Sequence, residues 1–152
     1  MYRTILTLLF LGTALMPVLA DDNDVVISEA TDNYRVILRD GAPVVVNTAE
    51  VNYQLNSTIG QIIQPAVYYG DFISLNKADC SRATAAYKTA TPENVFYDDT
   101  KVCFFTTTLD RKHKEAKFSY TRTFSDARYW ARVYLSADYF VQHKQVTVTL
   151  PK

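Results

Sequence analysis

Apolar and polar residues alternate at period two through much of this chain, the pattern of half-buried β-strands. Val25-Val26-Ile27 opens one such run, and Tyr34-Arg35-Val36-Ile37-Leu38 follows, ending at the turn pair Asp40-Gly41. Residues 44–55 make a longer run, so 34–39 and 44–55 are expected to form a hairpin through Asp40-Gly41-Ala42-Pro43. Between 66 and 75 the alternation is imperfect, and Gly70-Asp71 in its middle marks a turn or a bulge. Strand chemistry returns at 94–109, where Val95-Phe96-Tyr97 and the run from Val102 to Leu109 flank a polar turn at Asp98-Asp99. Arg111-Lys112-His113-Lys114 has the composition of a hairpin loop. The return strand at 116–124 places Phe118, Tyr120 and Arg122 on one face and Lys117, Ser119, Thr121 and Thr123 on the other. Val146-Thr147-Val148-Thr149-Leu150 is the last strand, stopped by Pro151. Only 78–88, rich in alanine and bounded by Thr-Ala-Thr-Pro at 89–92, reads as helix. The pattern predicts an all-β fold, an antiparallel β-sandwich with at most one short helix.

The first twenty residues follow a different rule. Arg3 supplies a positive start, residues 5–11 are mostly apolar, and Val18-Leu19-Ala20 before Asp21 resembles a small-residue cleavage site. A signal peptide at 1–20 and a single domain at 21–152 are therefore expected, with a periodic-strand core and no stable membrane insertion once the leader is cut. The expected location is the periplasm or the exterior.

Charge adds one detail. Residues 21–100 hold twelve acidic and five basic side chains, and 101–152 hold four acidic and ten basic. Two halves of opposite sign either pair across a sheet or present separate solvated faces. The basic residues carry no nucleic-acid-binding motif, so no nucleic-acid partner is expected.

Cys80 and Cys103 are the two cysteines, and in an oxidising compartment an even pair is expected to form a disulfide. The competing pictures are two buried thiols acting as small apolar groups, or a nucleophilic Cys80 at a helix N-terminus. Cys80, His113 and Asp126 or Asp138 follow the order of transglutaminase-like cysteine enzymes. His113, however, lies among Arg and Lys in an exposed loop, and no catalytic residue is assigned. The two histidines lie thirty residues apart in no ligand spacing, so no metal and no cofactor are expected. Asp21, Asp22 and Asp24 read as an acidic N-terminus, and Asn56-Ser57-Thr58 is a formal glycosylation sequon in a loop.

Residues 126–140 hold the single tryptophan within a dense aromatic group. If extended, this segment places Arg128, Trp130, Arg132 and Tyr134 on one face as a cation–π ladder, the candidate binding surface for a glycan or a peptide. Helical spacing through Trp130, Val133, Ala137 and Phe140 also fits part of it.

Four stretches in order carry a family resemblance: Val95-Phe96-Tyr97-Asp98-Asp99-Thr100-Lys101-Val102, Lys117-Phe118-Ser119-Tyr120-Thr121, Asp126-Ala127-Arg128-Tyr129-Trp130 and Val146-Thr147-Val148-Thr149-Leu150-Pro151. Together they resemble a bacterial exported domain-of-unknown-function family that usually forms the N-terminal β-sandwich preceding a transglutaminase-like domain. The resemblance implies a sandwich, and the catalytic region that follows in such relatives is absent from this sequence. The expectation is a non-enzymatic accessory or protein-interaction module of the bacterial cell envelope. Its partner would be an envelope protein or an extended peptide added to a sheet edge. The alternatives are a glycan-binding β-sandwich using the Arg/Trp/Tyr surface and, least favoured, a transglutaminase-like cysteine enzyme.

Overall fold

The computed structural model describes residues 24–89, 99–130 and 137–151. The expected signal peptide, Arg132, Tyr134 and the stretch Val95-Phe96-Tyr97-Asp98 lie outside the described residues. The fold is all-β. Its strands are β1 (Val25–Arg39), β2 (Ala42–Leu55), β3 (Gln61–Ile63), β4 (Ala66–Tyr69), β5 (Ile73–Cys80) and β6 (Ala86–Thr89) in the first part. Then come β7 (Lys101–Phe104), β8 (Thr107–Leu109), β9 (Glu115–Phe124), β10 (Phe140–Val141) and β11 (Lys144–Thr149). β1, β2, β9 and β5 lie side by side in one large sheet, with β10 and β11 flanking β1 in sequence. A three-stranded sheet, β4-β7-β6, and the pair β3-β8 complete the sandwich-like arrangement. Every pairing is antiparallel except those of β10 and β11 with β1, which are parallel.

The β1–β2 hairpin forms as the sequence predicts. Asp40 and Gly41 have φ of 52° and 79°, so both central residues are left-handed, the type I′ geometry that matches the twist of the flanking strands. Asp tolerates that region and Gly adopts it without a steric penalty. The two runs read separately at 25–27 and 34–38 are one strand. An irregularity between Ile27 and Glu29 accommodates Ser28 as an extra residue and resets the alternation. Ile27 before it and Ala30 after it therefore both reach the core. β5 repeats the device: the register shifts between Leu75 and Lys77, so Leu75 and Ala78 both pack inward.

Three expectations are corrected. The helix at 78–88 is absent: Ala78 and Cys80 end β5, opposite Tyr120 and Phe118 of β9, and Ala86 starts β6. Pairing with β9 outweighs the weak helix propensity of the alanines, and Arg82, at φ 57°, turns the chain between the two sheets. The run 102–109 is two strands, broken at Phe105-Thr106, that join different sheets. Phe105 fills the core between them, against Phe118 at 5.7 Å between ring centroids. The 111–114 loop is a crossover from β8 to β9 rather than a hairpin, because β8 pairs β3 while β9 pairs β2 and β5. Asp110 shapes it by accepting from the backbone N–H groups of Lys112 and His113.

The main core draws Ala30, Tyr53, Cys80, Ala116 and Phe118 from the large sheet and Ile63, Val67, Cys103 and Leu109 from the small ones. Each fully buried Ile, Leu or Phe contributes about 1.5–3 kcal/mol relative to exposure. A second cluster, Tyr34, Val45 and Phe124, lies further along the large sheet. Its cover is the 3-10 turn Ala127–Tyr129 together with Trp130.

Two ion pairs join the acidic and basic halves across the sheet. Lys117 Nζ meets Glu50 at 2.6 Å on the solvated face, and Lys144 Nζ meets Asp32 Oδ2 at 2.9 Å near the buried one.

Candidate functional site

A polar row crosses the inner face of the large sheet between the two apolar clusters. Tyr34, Asn47, Arg122 and Leu75 are aligned by strand register, with Asp32 and Tyr120 in the adjoining row. Arg122 is the odd residue on the inner face of β9, where Phe118, Tyr120 and Phe124 are its neighbours at alternate positions. Its guanidinium carbon lies 5.3 Å from the Tyr120 ring and 5.0 Å from the Phe124 ring, within cation–π range of both. Its Nε donates to Asn47 Oδ1 at 3.0 Å, with the Tyr34 phenol one register position further along the same row. Asn47, completely buried, donates in turn to Asp32 Oδ1 through a long 3.5 Å contact, and Asp32 is held by Lys144. Two rings and one hydrogen bond thus hold the arginine in place.

Electrostatics agree with this packing. Burial pushes the Tyr120 hydroxyl up to about 12, with Arg122 opposing and Asp32 adding to the shift. Tyr34 is raised for the same first reason, burial, then by Asp32. Both phenols stay neutral over the whole physiological range.

Arg122 lines a cleft of about 400 Å³. Tyr68 and Tyr69 come from β4, Asp71 and Phe72 from the tight turn between β4 and β5, and Tyr129 from the 3-10 turn. That tight turn is closed by reciprocal backbone bonds between Gly70 and Ile73, 2.9 and 3.1 Å long. Gly70 is required there by proximity: a Cβ at this position would sit 3.3 Å from the carbonyl oxygen of Asp99, another lining residue. Ser125 bonds the Phe72 carbonyl oxygen through both its backbone N–H and its hydroxyl. These bonds bring Phe72 against Tyr129, where the two rings stack with centroids 4.1 Å apart and planes 6° from parallel. Phe72, Tyr129 and Tyr68 keep 49%, 44% and 57% of their surface exposed.

A second cleft, of about 470 Å³, adjoins the first through Tyr68, which lines both. Phe104, Tyr53 and Tyr139 supply its rings, and Lys88, Gln64 and Asp138 its side-chain polar groups. Tyr139 meets Tyr53 edge-on at 5.6 Å, and Lys88 Nζ sits 5.1 Å over the Phe104 ring.

The residues singled out from sequence are placed differently from expectation. Arg128 and Trp130 form no ladder, because 127–129 is a 3-10 turn capped by Asp126. Asp126 accepts from the Arg128 backbone N–H at 2.8 Å and from its guanidinium, and this pairing lowers the Asp126 carboxyl and raises Arg128. Trp130 turns inward and stacks on Tyr34 at 5.1 Å, leaving its indole N–H buried without a partner among the described residues. The cation between rings is Arg122 on β9 instead. An arginine on the aromatic face of a strand was the sequence signal for it.

Cys80 and Cys103 are both free and buried, and the expected disulfide is not formed. They reach one core from different sheets and keep separate neighbours: Cys80 lies opposite Phe118, while Cys103 contacts the Tyr87 hydroxyl. Burial pushes both thiols up, and Asp79 raises Cys80 further, which disfavours the thiolate. With no helix behind it, Cys80 also lacks the dipole that the nucleophile picture required. His113 sits in the exposed β8–β9 loop, its Nδ1 3.3 Å from Asp110. Among the described residues no group of His, Cys, Asp and Glu is arranged to hold a metal ion. Asp24, the described member of the acidic N-terminus, accepts from Gln61.

The chain is an all-β protein with two adjoining clefts lined by aromatic side chains. No protein-family model matches the chain, and no curated protein matches it. Among solved structures, yeast LTA4 hydrolase in complex with bestatin is similar over 68% of this chain, at 7% identity and a TM-score of 0.37. The chain spans 15% of the length of that protein.

Proposed function

We propose that this chain is a non-catalytic, exported accessory or interaction module of the bacterial cell envelope, and that it binds through the Arg122 cleft. The leader-like residues 1–20 and the resemblance to sandwich domains of exported bacterial proteins support the location. One observation carries the site: an exposed, parallel pair of rings, Phe72 and Tyr129, stands beside a guanidinium already held by Asn47, Tyr120 and Phe124. Exposed aromatic surface next to a fixed polar group is the make-up of binding sites.

Strand addition at a sheet edge is the less favoured route. β5, at one edge, is broken by its irregularity at Asn76 and carries Lys77; the opposite edge is broken between β10 and β11 and carries Lys144. Breaks and lysines blunt edges against added strands. Binding by side chains in the cleft avoids that obstacle.

The test uses tagged mature protein and detergent-solubilised envelope, comparing the wild type with the Phe72→Ala/Tyr129→Ala double variant. A component retained by the wild type and lost from an equally stable double variant is the expected result. Equal retention by both moves binding away from the cleft. Turnover of any acyl-transfer substrate that disappears in Cys80→Ala would replace the module with an enzyme.

A further inference from the structure

We propose that the ligand is a neutral oligosaccharide that lies across both clefts and straddles Tyr68; this rests on the Arg122 cleft being the binding site. The polar lining decides the chemistry. The first cleft is lined by the cation Arg122 and the carboxylate residue Asp71, and the second by Lys88, Asp138 and the amide residue Gln64. An anionic ligand meets carboxylates in both places, and a cationic one meets Arg122 and Lys88. Hydroxyl groups donate and accept at once, so a neutral sugar engages both signs without leaving a charge opposed.

The apolar lining points the same way. A pyranose has one face of C–H groups and a rim of hydroxyls, matching an exposed ring bordered by donors and acceptors. The first cleft offers Phe72 and Tyr129 beside Arg122 and Asp71; the second offers the exposed Tyr68 ring beside Asp138 and Lys88, whose Nζ lies over Phe104. The same composition occurs twice, side by side. Their common wall is Tyr68, more than half exposed, which suits a ligand that repeats along its length. Volumes of about 400 and 470 Å³ each lie within the size of a small-molecule site.

The experiment is a calorimetric titration of the mature chain with neutral gluco-, manno-, galacto- and N-acetylhexosamine oligosaccharides of graded length, alongside oligouronates and extended peptides. At least one neutral series is expected to bind, its affinity rising about tenfold or more from one unit to several as the second cleft is engaged. Tyr68→Ala, at an exposed ring, should remove that gain with length and leave thermal unfolding unchanged, and Phe72→Ala should weaken every length. A neutral series whose affinity ignores length, or ignores Tyr68→Ala, overturns the two-cleft proposal. Oligouronates or peptides binding in place of neutral sugars, with loss in Phe72→Ala, overturn the sugar and leave the cleft standing. No binding by any of the three classes overturns the sugar, while an envelope component still lost from the Phe72→Ala/Tyr129→Ala variant keeps the cleft.

Discussion

The two ends of the large sheet's inner face are built on opposite terms. At one end Phe118, Ala116 and Tyr53 pack against Ile63, Leu109 and Cys103 of the facing sheets, and the contact is apolar and closed. At the other, three buried residues are covered by a short 3-10 turn and one tryptophan, beside a row of buried polar groups and an open cleft. Strand β9 runs through both, with Phe118 in the first region and Arg122 and Phe124 in the second. A closed apolar contact and an open cleft are therefore divided along a single strand, and the polar row marks the border.

Truncation of the closed end should have the largest effect. Phe118→Ala is expected to cost about 3–5 kcal/mol in urea unfolding, because it opens a cavity between sheets that cannot collapse. Phe124→Ala, whose surroundings border the cleft, should cost less. An equal or greater loss there would erase the distinction.

The border itself comes next. Asp32→Ala leaves Lys144 and the amide of Asn47 without their shared acceptor, at an expected cost of about 2–3 kcal/mol. Pairing it with Lys144→Met in a double-mutant cycle isolates the ion pair, and a coupling near zero would show that the row is held by something else.

Alkaline pH tests the same border from another side. The Tyr120 hydroxyl is raised from 10.0 to about 12, so folding favours its neutral form. Its contribution, about 2 kcal/mol, is present in full below pH 10 and is lost as pH rises through 12. Tyr53, raised by burial as well, acts in the same direction. Unfolding followed by tyrosinate absorbance should move to higher pH in Tyr120→Phe, and an unchanged profile would contradict the burial of this hydroxyl.

The smallest effect is expected at Trp130. Trp130→Phe gives up ring area on Tyr34 but removes a buried N–H that has no partner among the described residues, so stability should stay within about 1 kcal/mol of wild type. A loss like that of Phe118→Ala would make the open end a second true core.

Much of the fold was legible because alternation at period two is dictated by burial of one sheet face. The 44–55 and 116–124 strands, the Asp40-Gly41 turn and the inward face of β9 follow from it. What escaped did so for physical reasons. Irregularities at Ser28 and Asn76 reset the alternation and hid the continuity of β1, and Ala78 of β5 with the alanines after it imitated a helix. The site was less legible. Tryptophan and arginine density drew attention to 128–134, whereas the cleft gathers Tyr68, Phe72, Arg122 and Tyr129 from four separate places in the chain. Only Arg122, a charge among inward rings, announced itself.

The parallel pairing of β11 with β1 has a consequence for biogenesis. Ala30 and Tyr34 find their partners at Lys144 and Val148, more than a hundred residues downstream. Contacts this remote in sequence close late, since the chain loses the entropy of a very long loop before the first bond forms. The β1–β2 hairpin, joined by two residues, can assemble while the remainder is still being made or exported. Until β11 arrives, one flank of β1 is an unsatisfied strip of amides and carbonyls beside the apolar side chains of Tyr34 and Val36. A nascent or stalled chain is therefore most adhesive along that strip, and a chaperone would have its greatest use in shielding it.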